Sequence, residues 1–267
     1  MYIYTCEPNW EALLSCIYVA WSSKRGHQNI KIEYETSANR TFLDEYIYVP
    51  TDSGQALSVI DAINTKISTG FYYDLSYCAM AYEPEVPDLI YRMMILGFAY
   101  GPEVVNKVQY EAVMRFNEIK KRVGNEAHRF VEFLRFHEVR KSMYVAHIEP
   151  KSRIAITLGG AFEDRMPSEN WMIIDDIHKE AVIHPKNEHF YMRTLTDAEF
   201  AVLLETEKEN DDYTDMWKIF FETIAIKERI NPKLQRNLYP IWTRKHAPEF
   251  DSPSSKNTAS KSQYMVD

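Results

Sequence analysis

Apolar residues recur along this chain at two distinct periods. Trp10, Leu13, Leu14, Ile17, Ala20 and Trp21 fall three and four apart. They line one face of a helix that starts just after Pro8 and stops near Gly26. Tyr2, Ile3, Tyr4 and Thr5 before it suit a strand. Residues 30–35 alternate Ile30, Ile32 and Tyr34 with Lys31, Glu33 and Glu35, a half-buried strand. Residues 45–49 predict a third strand, closed by Pro50. Ala56, Val59, Ile60, Ile63 and Ile67 then return to helical spacing, with Asp52 or Ser53 as cap and Gly70 as stop. Helical patterning continues over 71–123, broken at Pro84 to Pro87 and at Gly101-Pro102.

After Gly124 the pattern predicts a hairpin of strands over 133–139 and 144–149. Short strands follow at 171–175, 181–184 and 190–194, with helices over 154–162 and 212–228. The reading is α+β: an N-terminal strand-helix-strand unit leading into a helical subdomain, then a small, mostly antiparallel sheet with a closing C-terminal helix. It divides into an N-terminal subdomain at 1–123, a C-terminal subdomain with a basic end at 124–247, and a disordered tail at 248–267. Ser, Lys, Asn and Thr dominate that tail.

Composition narrows the class. With 267 residues, 45% of them hydrophobic and 26% charged, the chain can bury a sizeable core and is neither collagen-like nor wholly disordered. No apolar run approaches the roughly 18 residues that span a bilayer. The opening MYIYTCEPNW has no basic stretch and no cleavage motif, so a secretory signal is not expected. Cys6, Cys16 and Cys78 are odd in number and widely spaced. They match no zinc or iron–sulfur pattern, and they suit buried thiols in a reducing cytoplasm.

The net charge of -8 argues against nucleic acid until it is divided along the chain. Residues 115–141 carry 8 basic and 4 acidic side chains, and residues 227–246 carry 6 and 1, while acidic blocks flank them. Both basic segments interleave Arg and Lys with aromatics. Cations neutralise phosphates and aromatic faces stack on bases, so this mixture suits a nucleic-acid surface. Arg122, Arg129, Arg135, Lys233, Arg236, Arg244, Lys245 and His246 are the candidate phosphate contacts, with Phe136, Tyr239 or Trp242 for stacking. An ordinary charged helix face with core aromatics has the same composition.

Three further clusters carry possible chemistry. In residues 124–130, Asn125, Glu126 and His128 offer a cap, an acid and a base, and a helix would set His128 four residues from Glu132. Asp164 and Glu169 bracket a proline turn, and paired carboxylates divide acid and base roles when their environments differ. Surface ion pairs and turn polarity explain both clusters equally well. Arg25, His27 and Asn29 lie in a turn after the first helix, where a glycine stop with solvated neighbours is the plain alternative. His178, His184 and His189 are close in sequence, but no H-E-x-x-H, dinucleotide, Walker or G-x-S-x-G motif occurs. No metal and no cofactor is expected.

Seven ordered blocks carry a family resemblance. They are the opening MYIYTCEPNWEALLSCIYVAW with Arg25, Gly26, His27 and Asn29; Leu96 to Phe98 with Gly101-Pro102; VGNEAHRFVEFLRF; IEPK; DRMPSENWMIID; IAIKERINPKLQR; and KHAPEF. Over about residues 1–250 the chain resembles a bacterial family of unknown biochemical function described as DNA metabolism or DNA repair proteins. Its genes accompany a radical-SAM protein, and some members are fused to a uracil-DNA glycosylase-like domain. The resemblance implies a role in DNA repair or modification beside a radical-SAM partner, which would itself hold the cluster cysteines. It brings no catalytic residue set.

The expectation is a cytoplasmic, DNA-binding accessory protein, with the two basic segments meeting as one face. Two alternatives stand beside it. In the first, an enzyme acts on a nucleobase or its glycosidic bond, with Asn125, Glu126, His128, Asp164 and Glu169 converging in one cleft. In the second, a protein–protein adaptor uses its basic segments only for internal ion pairs.

Overall fold

The computed structural model describes residues 1–35, 41–139, 142–206, 216, 223 and 231–250. The chain forms two compact units, Met1–Gly124 and Asn125–Asp267. Its folds are mixed α/β, with one sheet in each unit. Among the described residues no helix is long and apolar enough to cross a membrane.

In the first unit, β1 (Tyr2–Cys6) is the centre of a three-stranded parallel sheet between β2 (Ile30–Tyr34) and β3 (Glu45–Tyr48). A parallel neighbour needs a crossover, and α1 (Trp10–Ser22) supplies it. Asn9 starts α1 by accepting the Ala12 N–H at 2.8 Å, and Leu13, Leu14 and Ile17 bury its apolar face. Asp52 caps α2 (Ser53–Lys66) through the Gln55 N–H. The expected stop at Gly70 is not where α2 ends. Ser68 accepts the Phe71 N–H and starts α3 (Thr69–Ala79), so Gly70 sits inside the next helix. A cap that satisfies an orphan donor outweighs one helical glycine.

Helix α4 (Val86–Tyr100) carries Pro87 in its first turn and ends at Gly101, whose φ of 69° suits a residue without Cβ. Gly97 lets α4 pack closely: a Cβ there would lie 2.9 Å from both Ile67 Cδ1 and Phe71 Cε1. All three cysteines are free and buried. The Cys6 hydrogen bond, then burial, pushes the Cys16 thiol up, and burial pushes Cys78 up to about 12.

Helix α5 (Glu111–Phe133) corrects the sequence reading twice. It passes through Gly124 without a break, and it consumes the residue expected to open a strand at 133. The reason is an uninterrupted stripe: Val113, Phe116, Ile119, Val123, Ala127 and Phe130 are all buried. Burying that stripe outweighs the roughly 1 kcal/mol that a helical glycine costs. Of the strand expected over 133–139, only β4 (His137–Glu138) forms. The division between the two units falls inside α5, after Gly124.

In the second unit, β4, β5 (Met143–Ile148), β6 (Asn170–Asp175), β7 (Glu180–His184) and β8 (Tyr191–Thr194) form a sheet in that order. Three of its pairings are antiparallel, and β5–β6 is parallel. Helix α6 (Ala155–Arg165) makes the parallel crossover. Gly159 permits its approach to the sheet, since a Cβ there would lie 2.8 Å from Val182 Cγ1 and from the Phe190 ring. Trp171, Ile173 and Val182 are fully buried on the face it covers, and Ile174 and Ala181 pack on the other face with Val139, Val145 and Leu195. Among the described residues two further helices, α7 (Asp197–Thr206) and α8 (Pro232–Leu238), follow. Of the helix expected over 212–228, all but residues 216 and 223 lie outside the described residues. Pro248–Phe250 form a 3-10 turn, and the rest of the tail expected at 248–267 lies outside the described residues. The Glu249 side chain, 3% exposed, accepts from Arg135.

Candidate nucleic-acid interface

Residues from both basic segments meet in the second unit. The last turns of α5 bring Arg129, Phe130 and Phe133, with Leu134 and Arg135 just beyond. The chain leaving α8 brings Tyr239, Trp242, Lys245 and His246. Together with His147, Ile148 and Glu149 from the end of β5 they line one narrow groove. The space left free in it is about 10 Å³, roughly one water.

Local chemistry fixes that chain path. Asn231 caps α8 through the Leu234 N–H, and Pro232 suits its first turn. Beyond the helix, Tyr239 stacks on Phe133 with ring centres 3.9 Å apart, and Trp242 meets Phe130 edge-on at 6.1 Å. Arg244 folds back to donate to the Tyr239 carbonyl at 2.8 and 2.5 Å, and its guanidinium lies over the Phe250 ring. Burial, with the Glu249 charge nearby, pushes the Tyr239 phenol up to about 12. Tyr239 is therefore a structural clasp, whereas Trp242 is 38% exposed and has Lys151 Nζ 5.6 Å from its ring centre. Phe136 packs on Phe162 and Trp171, as a core residue.

The candidate cations divide into paired and unpaired. In the first unit Arg122 is held by Glu83, Lys120 by Asp74 at 2.7 Å, and Arg115 by Glu85 and Glu118. In the second, Arg135 bonds Glu249 at 2.9 Å and Lys245 bonds Glu149. Arg236 Nε donates to the Pro232 carbonyl on the exposed face of α8. Arg129 and the exposed Lys233 form no ion pair among the described residues.

Beside the groove lies a cluster that sequence reasoning missed. His147 has a fully buried side chain, and its Nδ1 is 2.8 Å from Asp176 Oδ1. Asp176 Oδ2 is 3.6 Å from His246 Nε2, and the His147 and His246 rings are 5.8 Å apart. These residues are 29 and 70 positions apart in sequence, so no spacing motif could reveal them. A usable signal is topological. Polar residues at the carboxyl ends of adjacent parallel strands collect at one edge, and β5 and β6 are such a pair, with Ile148 opposite Asp175.

The five acid–base candidates do not line this groove. Asn125 and His128 are exposed on α5, with His128 3.2 Å from Glu132. Glu126 is buried, and its carboxylate accepts the Lys151 N–H at 2.6 Å and the Ser152 N–H at 3.3 Å. Asp164 is exposed, and Glu169 sits beside Ser168. No hydrogen bond or ion pair joins the first three to the last two among the described residues. The three histidines close in sequence also stay apart. His178 bonds Asp175, His184 stacks on Trp171, and His189 reaches Glu163.

Arg25, His27 and Asn29 shape a turn in the first unit. Arg25 pairs with Glu45 and covers the Tyr2 ring, and Asn29 donates to the Arg25 carbonyl. Arg92 donates to the His27 and Ile30 carbonyls, and His27 Nδ1 is 2.7 Å from Tyr91 Oη. Burial, then the Arg92 charge, lowers the His27 pKa below its usual 6.5. With a depressed folded pKa, the unfolded chain binds more protons between that pKa and 6.5, so stability falls as pH drops through this window. Urea midpoints of the wild type are expected to drop more between pH 7 and pH 5.5 than those of His27→Gln. Equal drops would remove His27 as the cause.

No curated protein matches the chain. Residues 84–249 match the family model of DUF4130, a domain of unknown function. The match spans α4 through the end of the groove and covers more than half of the chain, which therefore belongs to the DUF4130 family.

Proposed function

We propose that the protein binds nucleic acid through the groove face of its second unit, as a DNA repair or modification accessory of a radical-SAM partner. The observation that carries this reading is the meeting of two basic, aromatic-rich segments at one groove, where Arg129, Arg135, Lys245 and the half-exposed Trp242 lie together. Cations at the rim neutralise phosphates, and an exposed indole offers a face to an unstacked base. Lys233 and Arg236 extend the positive surface along α8, which leads directly into the groove. The DNA repair assignment itself comes from the resemblance of the seven sequence blocks.

Fluorescence anisotropy with single- and double-stranded DNA tests the reading. Affinity is expected to fall with salt, with a log–log slope of roughly -0.9 per phosphate contact on duplex DNA. Arg129→Glu, or Lys233→Glu with Arg236→Glu, is expected to weaken binding by about tenfold or more and to flatten that slope. Absence of affinity at low salt, or insensitivity to these reversals, overturns it.

The adaptor reading is favoured by one observation: Arg115, Lys120, Arg122, Arg135 and Lys245 all serve internal ion pairs. Co-purification with the partner and no DNA affinity at any salt is its signature. The enzyme reading has less support, because Glu126 is committed to backbone amides and none of its five residues borders the groove.

A further inference from the structure

We propose that Glu149, Asp176 and His246 bind one divalent transition-metal cation at the edge of the groove. One ligand atom from each lies within 4.8 Å of the other two, close enough to share a single ion. An imidazole with two carboxylates is a donor set for Zn²⁺ or Mn²⁺. Two carboxylates at this separation repel each other, and a dication removes that repulsion. Lys245, whose ammonium bonds Glu149, already places positive charge there.

The second observation is His147. Its side chain is 0% exposed, and it borders the same groove as Glu149 and His246. Nδ1 meets Asp176 Oδ1 at 2.8 Å, while Nε2 is buried and makes no hydrogen bond among the described residues. Through Nδ1, His147 orients the Asp176 carboxylate, as outer-shell partners of metal ligands do. The spacing of the three proposed ligands in sequence, 149, 176 and 246, explains why no metal pattern was legible there.

The proposal does not rest on nucleic-acid binding, so it is tested without DNA. Chelator-treated full-length protein is titrated with ZnCl₂ and with MnCl₂ by calorimetry. One saturable equivalent is expected for at least one of the two metals. His246→Ala and Asp176→Asn are each expected to weaken that binding by about tenfold or more. Lys245→Met, which removes the competing ammonium, is expected to tighten it. His128→Ala, on the exposed face of α5, is expected to leave it unchanged. Circular dichroism checks that each variant is folded, and His246→Ala carries the test should Asp176→Asn not fold. No saturable binding, or equal affinity in the folded ligand variants, overturns the proposal.

Discussion

Trp171→Ala is expected to destabilise the second unit by about 4 kcal/mol, the range found when a large core aromatic is truncated. Trp171 is 0% exposed in β6, the middle strand of the five-stranded sheet. Its ring lies flat on His184 at 4.7 Å and edge-on to Phe162 and Phe136, and its Nε1–H donates to the Met166 carbonyl at 3.2 Å. Truncation would empty the contact between α6 and the sheet and remove one of the two hydrogen bonds that the Met166 carbonyl accepts. Urea unfolding followed by circular dichroism measures the loss. Trp242→Ala, at the half-exposed rim, serves as the contrast and should cost much less. Equal losses in the two variants would contradict the burial argument.

Glu126→Ala is expected to cost about 3 kcal/mol, because two backbone N–H groups lose a charged acceptor in a buried setting. The carboxylate reaches from α5 to the Lys151 and Ser152 amides, ahead of α6. Glu126→Gln keeps one carbonyl oxygen and should recover part of the loss, since it can still accept one of the two bonds. Urea midpoints of the two variants give the comparison. A wild-type midpoint for Glu126→Ala would leave the carboxylate free for another role.

This carboxylate shows how a sequence motif can mislead about function. Glu126 beside His128 reads as acid–base chemistry when only spacing is known. In the folded unit the two diverge: Glu126 turns inward to the backbone and His128 turns out to solvent beside Glu132. The IEPK block is the other half of the same interaction, because Lys151 and the following Ser152 donate the amides that Glu126 accepts. Arg25, Gly26, His27 and Asn29 repeat the lesson in the first unit. Their turn is held by Arg92 from α4, a residue no local motif connects to them.

Hydrophobic periodicity determined most of the elements by itself. The first strand and helix, the half-buried β2, the helices broken at Pro87 and Gly101, and the crossover helix α6 all follow from local spacing, capping and turn chemistry. Local rules failed at Gly124, where glycine suggests a stop, because burial of one continuous stripe from Val113 to Phe130 decided the outcome. The strand expected over 133–139 shortens to β4, because only His137 and Glu138 find partners on β5.

The groove and its cluster were settled by the tertiary structure alone. The sequence showed two basic segments; it could not show which cations carboxylates would take up, since Glu83, Glu149 and Glu249 lie 39, 96 and 114 positions from Arg122, Lys245 and Arg135. It equally could not show that the aromatics of the second segment would be spent on clasping α5. Ion pairs and ring contacts act over a few ångströms of space, whereas periodicity reports only on neighbours within a turn or a strand. His147, Glu149, Asp176 and His246 converge because two parallel strands end at the same edge and a third segment returns to them.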